Sequence, residues 1–179
     1  MHGQFKLGKG SKRKLAGYHP EHGFIAPVNP VLASVMVLGL HYSTVDFGIG
    51  KSTLRTLAEQ REFVRLKRSR TLKSKHLVQD DGTVHAVDVI PYLGAKAIFR
   101  SDLLFEIAAG VQQAARELDV PVHWGGCWRP LNGEKSVEQL HADYVEWCRI
   151  RFEQGRRRSD RPFIDDPHYE LPTGYLKGL

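Results

Sequence analysis

Residues 101–126 read SDLLFEIAAGVQQAARELDVPVHWGG, and the fold class turns on them. From Ser101, a candidate N-cap followed by Asp102, apolar residues recur at Leu103, Leu104, Ile107, Ala108, Val111, Ala114, Ala115 and Leu118. That spacing puts them on one face of a helix, which must be buried. The period then changes: residues 120–126 read as a short strand ending in a glycine turn. Working outward, VHAVDVI at 84–90 reads as a second strand, closed by Pro91. Residues 52–66 have helix-forming composition, with Ser52 to cap them, and a third helical run spans 137–152. Helices and strands do not alternate regularly, so the expectation is α+β rather than a parallel βαβ fold.

At 179 residues the chain fits one domain, 1–179, and 41% hydrophobic with 26% charged residues is ordinary globular composition. The longest apolar run, 31–40, is too short to span a bilayer and is broken by Ser34 and Gly39. Cys127 and Cys148 are the only cysteines, which excludes a disulfide framework and a cysteine-rich zinc module, so any metal must use histidines and carboxylates. The net charge of +6 implies attraction to a polyanion: nucleic acid, an anionic membrane surface or a cell-wall polymer. Three stretches carry it, 6–14, 61–75 and 149–161. The basic N-terminus is not followed by an apolar segment, so no signal peptide is expected and the chain is expected to be made in a cytoplasm. FGIGKST at 47–53 lacks the full GxxxxGK[ST] spacing of a phosphate loop, so a nucleotide hydrolase is not expected.

Chemistry concentrates in SKHLVQDDGTVHAVD, 74–88, and DDPHYE, 165–170. The first offers His76 and Asp88 and the second Asp165, His168 and Glu170; two imidazoles with one carboxylate are a donor set that leaves one position of a catalytic zinc open to water. Asp165, three residues before His168, could take a proton from that water. No HExxH motif is present, and nine histidines also produce such neighbours by chance. Trp124, Trp128, Trp147 and Cys148 are expected in the core. Asp80 and Asp81 form an acidic pair in a glycine-bearing loop, a poor calcium signal because that ion wants six to eight oxygens.

The segment from Ser74 to Asp88, with its GTVHAVDVIPY continuation, resembles the SxHxxGxAxD element of the zinc peptidases that cleave peptidoglycan stem peptides. That family includes D-alanyl-D-alanine carboxypeptidases, dipeptidases and phage L-alanyl-D-glutamate endopeptidases. DDPHYEL resembles its second element, acidic-x-x-His-x-Glu. FKLGKGSKRKLAGYHPE resembles the opening of the phage endolysin branch, DFGIGKSTLRTLAEQ its arginine-bearing strand and turn, and VHWGGCW the strand before the second element. All five occur in order across essentially the whole chain.

The resemblance implies a small antiparallel sheet flanked by helices, with a zinc site in a cleft on the sheet. It implies Zn2+ held by His76, Asp88 and His168, with Asp165 as general base and Arg55 stabilising the oxyanion. Ser74 is then expected to contact substrate or hold its loop, and Glu170 to orient a ligand. Two departures stand out: extra residues separate His76 from Asp88, leaving His85 open as a ligand, and a helical insertion at 129–164 has no usable counterpart. The implied activity is zinc-dependent hydrolysis of the L-alanyl-D-glutamate bond of peptidoglycan by a phage endolysin. The alternatives are a D-alanyl-D-alanine carboxypeptidase or dipeptidase and, from another class, a basic nucleic-acid-binding module. For the endolysin, peptidoglycan is the expected partner, with no specific nucleic acid, holin-dependent export to the periplasm and cell wall, and a monomeric state.

Overall fold

The structure is a computed structural model that describes residues 18–19, 23–24, 27–131, 133–154 and 164–175. The basic stretch 6–14 and most of 149–161 lie outside these residues, as does the endolysin-like opening apart from 18–19. The elements are β1 (Tyr18–His19), β2 (Gly23–Phe24), α1 (Pro30–Tyr42), β3 (Asp46–Ile49), a 3-10 turn (Lys51–Thr53) and α2 (Leu57–Arg65). There follow β4 (Ala86–Leu93), β5 (Lys96–Ala97), α3 (Ser101–Glu117), β6 (His123–Trp124), β7 (Arg129–Pro130), α4 (Val137–Gln154) and β8 (His168–Glu170). The fold is α+β: a sheet ordered β3-β4-β8-β6-β7 with β5 beside β4, antiparallel throughout, and a separate β1-β2 hairpin.

The apolar run at 31–40 is the interior of α1. Asn29 caps it by accepting from the Val31 N–H at 3.0 Å, and Pro30 takes the first helical position, where its missing N–H costs nothing. α1 packs on α3 closely enough that a Cβ on Gly110 would lie 2.6 Å from the Ser43 nitrogen and 2.8 Å from the Gly39 oxygen. Only glycine permits that approach. Leu32, Val35 and Met36 of α1, Ile107 and Val111 of α3, and Val87, Val89, Trp124 and Tyr169 of the sheet form one core. Trp124 is fully buried with its ring edge-on to Phe105 at 5.8 Å, so truncation to alanine would cost about 3–5 kcal/mol.

Strand alternation then decides where the polar residues go. Val87 and Val89 of β4 and Tyr169 of β8 face the core, so Asp88, His168 and Glu170 face the other side of the sheet. Asp88 pairs with His168 and Ala86 with Glu170, which puts the three functional side chains side by side.

Several local expectations are corrected. The helix expected over 52–66 with Ser52 as cap is a 3-10 turn followed by α2, capped by Thr56. Thr56-Leu-Ala-Glu59 forms a reciprocal capping box, in which the Thr56 hydroxyl accepts from the Glu59 N–H at 3.2 Å and Glu59 accepts from the Thr56 N–H at 2.7 Å. Ser52 has no such partner three residues on, where Arg55 stands. Ser101 is the first helical residue of α3 rather than its cap, and its hydroxyl donates to Asp166 at 3.0 Å. The strand expected over 120–126 is two residues long because Gly125 and Gly126 already belong to the turn into β7. β4 runs through Pro91 instead of ending there, beyond the reach of β8, where a missing N–H breaks no bond to that strand. The third helix is present over Val137–Gln154, with Ser136 and Gln139 capping each other, and it packs on α3 through Leu140 and Tyr144.

Candidate metal centre

Three elements converge on the outer face of the sheet. β4 supplies Asp88, β8 supplies His168, and the loop entering β4 supplies His76. His76 Nε2 and His168 Nδ1 are 3.1 Å apart, and Asp88 Oδ1 is 3.2 Å from each. These are the donor atoms that could hold a metal ion.

The tautomers are set from behind. His76 Nδ1 lies 3.0 Å from the Thr53 carbonyl, which can only accept, so this nitrogen carries the hydrogen and Nε2 keeps its lone pair. His168 Nε2 lies 3.1 Å from the Glu170 carboxylate, leaving Nδ1 to face the centre. Glu170 is itself held by Lys75 at 2.8 Å. Asp88 presents Oδ1 to the histidines while Oδ2 accepts from Ser52 Oγ at 2.8 Å and Arg55 Nη2 at 2.9 Å. The 3-10 turn is therefore the keystone of the site, since the Thr53 hydroxyl also accepts from the Asp88 N–H at 3.2 Å.

Electrostatics follow the contacts. Burial acts to raise Asp88, but the charges of His76 and His168 and their hydrogen bonds outweigh it and hold the carboxyl well below the usual range. Burial opposes a charge on His168, yet hydrogen bonds to Asp88 and Glu170 prevail and push it up to about 9. Glu170 is drawn down to about 2 against its burial by His168 and Lys75. Two imidazoles and a carboxylate turned toward one another supply the lone pairs and the charge that draw a metal cation.

The centre opens into a cavity of about 460 Å3 lined by Arg55, Ser74, Trp128, Trp147 and Asp165, among others. Burial and the nearby Asp88 charge raise Asp165 to about 6, with His168 and Arg55 pulling the other way. Asp166 is turned aside: its carboxylate takes the Ser101 hydroxyl and its carbonyl takes the Trp124 indole N–H at 2.7 Å. Gly125 permits this turn, because a Cβ there would lie 2.3 Å from the Asp165 carbonyl oxygen.

Of the residues singled out in the sequence, His76, Asp88, His168, Glu170, Asp165, Arg55 and Ser74 are thus together. His85 is not among the clustered donors; its ring pairs with Asp81 at 2.8 Å. Asp81 also accepts from Asn29, the cap of α1, and from the Thr83 N–H and hydroxyl, so the residues inserted between His76 and Asp88 are fastened to α1. Trp128 corrects the core expectation. It lines the cavity with its ring centroid 5.3 Å from that of His168 and its backbone at φ 52°, a conformation rare for a bulky residue. Trp147 both packs against the core and lines the cavity. Thr53, Gln60 and Lys75 were not legible as site residues. Ser52 was read only as a helix cap, because hydrogen bonding across 36 positions leaves no periodic signal.

A two-histidine, one-carboxylate centre in a cleft on a small antiparallel sheet defines a candidate metallohydrolase. The profile of the phage L-alanyl-D-glutamate peptidases matches residues 3–147, and the chain belongs to this family. Among solved structures it is similar to the L-Ala D-Glu endopeptidase ChiX of Serratia marcescens, with 31% identity over 82% of this chain and 81% of that one and a TM-score of 0.56. No curated protein sequence matched the chain. The profile match ends before His168, so the placement of that residue rests on the geometry above.

Proposed function

We propose that the chain is a zinc endopeptidase that hydrolyses the L-alanyl-D-glutamate bond of peptidoglycan, as a phage endolysin. One observation carries the metal assignment: the triangle of donor atoms with edges of 3.1, 3.2 and 3.2 Å. Tetrahedral zinc with bonds of about 2.0–2.1 Å spaces its ligands about 3.3–3.4 Å apart, so the three side chains need almost no rearrangement. Family membership and the endopeptidase neighbour favour this bond over D-alanyl-D-alanine and favour a hydrolase over a nucleic-acid-binding module.

Zinc at this centre supplies Lewis acidity toward water and toward the scissile carbonyl. The protein's own groups do the rest. Asp165 lies in the cavity wall three residues before His168, accepts the proton of the attacking water and returns it to the leaving amine. Arg55 is fixed by bonds to the Ser52 carbonyl at 2.9 Å, Gln60 at 3.3 Å and Asp88 at 2.9 Å. Three of its five N–H donors are so placed, and the other two serve the developing oxyanion. Ser74, whose hydroxyl accepts from the His76 N–H at 3.3 Å, shapes the ligand loop and lines the substrate cavity. We further propose action in the cell wall after holin-dependent release, as a monomer.

Mass spectrometry of purified peptidoglycan fragments tests the reading. New L-alanine carboxyl ends and D-glutamate amino ends should appear with the enzyme, vanish after chelation and return with zinc. Release of terminal D-alanine instead would overturn the bond assignment. His76→Ala should lose the metal while keeping a folded core, and full zinc content in that variant would overturn the ligand set.

A further inference from the structure

The segment from Arg68 to Lys75 gives the cavity a basic wall. Five cations line the cavity against two carboxylates, Asp165 and Glu170, and Glu170 is already committed to Lys75 and His168. Among the described residues, Arg68 and Lys73 make no hydrogen bond or ion pair with an acid of the cavity. A metal at the centre would add to the excess. A neutral peptide gains nothing from such a field, whereas a carboxylate gains steering and charge-assisted hydrogen bonds.

The basic wall is also held in place. After α2 the N–H groups of Arg68 and Ser69 both donate to the Phe63 carbonyl, at 2.8 and 3.2 Å. Fully buried Gln60 donates to Ser69 Oγ at 2.8 Å and to the Thr71 carbonyl at 2.7 Å, while its own oxygen accepts from Arg55. The Lys73 N–H donates to Thr71 Oγ1 at 2.9 Å. The cations thus stand on a loop braced against the arginine that grips Asp88, and three residues past Lys73 the same loop delivers His76. Preorganised charge of this kind discriminates between ligands more than a mobile tail does.

Glutamate has two carboxyl groups, and a peptide that continues through one of them leaves the other free unless it is amidated. From this chemistry and the wall, we infer that Arg68 and Lys73 form a subsite for the free carboxylate of the D-glutamate beside the scissile bond. The enzyme is therefore selective for stem peptides whose glutamate is not amidated. This rests on the L-alanyl-D-glutamate reading and adds the peptidoglycan chemotype to it.

The test uses two synthetic stem peptides, identical except that one carries D-glutamate and the other its free-carboxyl amide, with the zinc-loaded full chain. The wild type should prefer the acid peptide at least tenfold in kcat/KM, and Arg68→Gln with Lys73→Gln should bring that ratio to within threefold of one. Both positions are exposed, so circular dichroism and Tm should match wild type. As a check independent of any variant, raising salt should slow wild-type cleavage of the acid peptide and leave that of the amide nearly level. Equal wild-type rates on the two peptides, or a preference that survives in the double variant, would overturn the subsite while leaving the endopeptidase reading intact. Cleavage of neither peptide, with activity on D-alanyl-D-alanine, would overturn both.

Discussion

Asp88 and His168 are direct partners across the antiparallel β4-β8 register, and Asp88 Oδ1 stands 3.2 Å from His168 Nδ1. They are 80 residues apart in the chain, yet a single ladder position fixes both side chains on the same face. The third donor, His76, is held against this pair by the Thr53 carbonyl. A rigid sheet and a braced turn thus make the centre, which is how a donor set is kept near its working geometry.

Asp165→Asn should lower turnover by about 10²–10⁴, the range of general acid–base catalysis, with zinc content near one per chain. Asp166→Asn should stay near wild-type activity, since its carboxylate faces Ser101. Rates on one purified peptidoglycan substrate, with metal analysis of both variants, decide the matter. An inactive, zinc-replete Asp166→Asn beside an active Asp165→Asn would place the base one residue later.

Arg55→Gln removes the cation that binds Asp88 Oδ2, so it should weaken metal binding about 10–100-fold in addition to lowering kcat. Competition with a chromogenic chelator gives the affinity. Unchanged affinity with a collapsed kcat would confine Arg55 to the oxyanion.

Glu170→Gln should also weaken the metal about 10–100-fold, because a neutral amide replaces the charged acceptor that orients the His168 ring and raises its basicity. Lys75 loses its carboxylate in the same variant, so a lower Tm is expected as well. Metal affinity equal to wild type would show that β8 alone orients His168.

His85→Ala should keep its full metal content, since His85 belongs to the Asp81 network and not to the centre. Burial acts to raise Asp81, but hydrogen bonds from His85 and Thr83 outweigh it and hold the carboxyl below its usual range. A carboxyl depressed in the folded state stabilises above its unfolded value of about 3.9, and that contribution disappears as pH falls. Wild-type Tm should therefore drop on acidification below about pH 5, and Asp81→Asn should show a shallower drop from a lower starting point. Parallel curves would assign the acid sensitivity elsewhere, and metal loss in His85→Ala would return that residue to the ligand set.

Sequence alone determined the elements whose information is local. The apolar period of 101–118 made α3, and the SxxQ pair at 136–139 sits where α4 begins. The residue types in SKH, AVD and DPHYE supplied the candidate donors, because metal chemistry restricts which side chains can serve, and the resemblance of the ordered segments picked His76, Asp88, His168 and Asp165 from among them. Local readings failed where two signals competed: Ser52 offered a cap, but Thr56 with Glu59 offered two bonds, and α2 begins there. What the tertiary structure decided is everything that depends on register and on contacts between distant residues. Sheet pairing, not spacing, set Asp88 opposite His168. Close packing around Gly125 aimed Asp165 at the cavity and Asp166 away from it. Thr53 and Lys75 entered the site through hydrogen bonds to partners far along the chain, and Gln60 through bonds to Arg55, Ser69 and Thr71. Such bonds depend on where folding brings two atoms, and no pattern in the neighbouring residues encodes them.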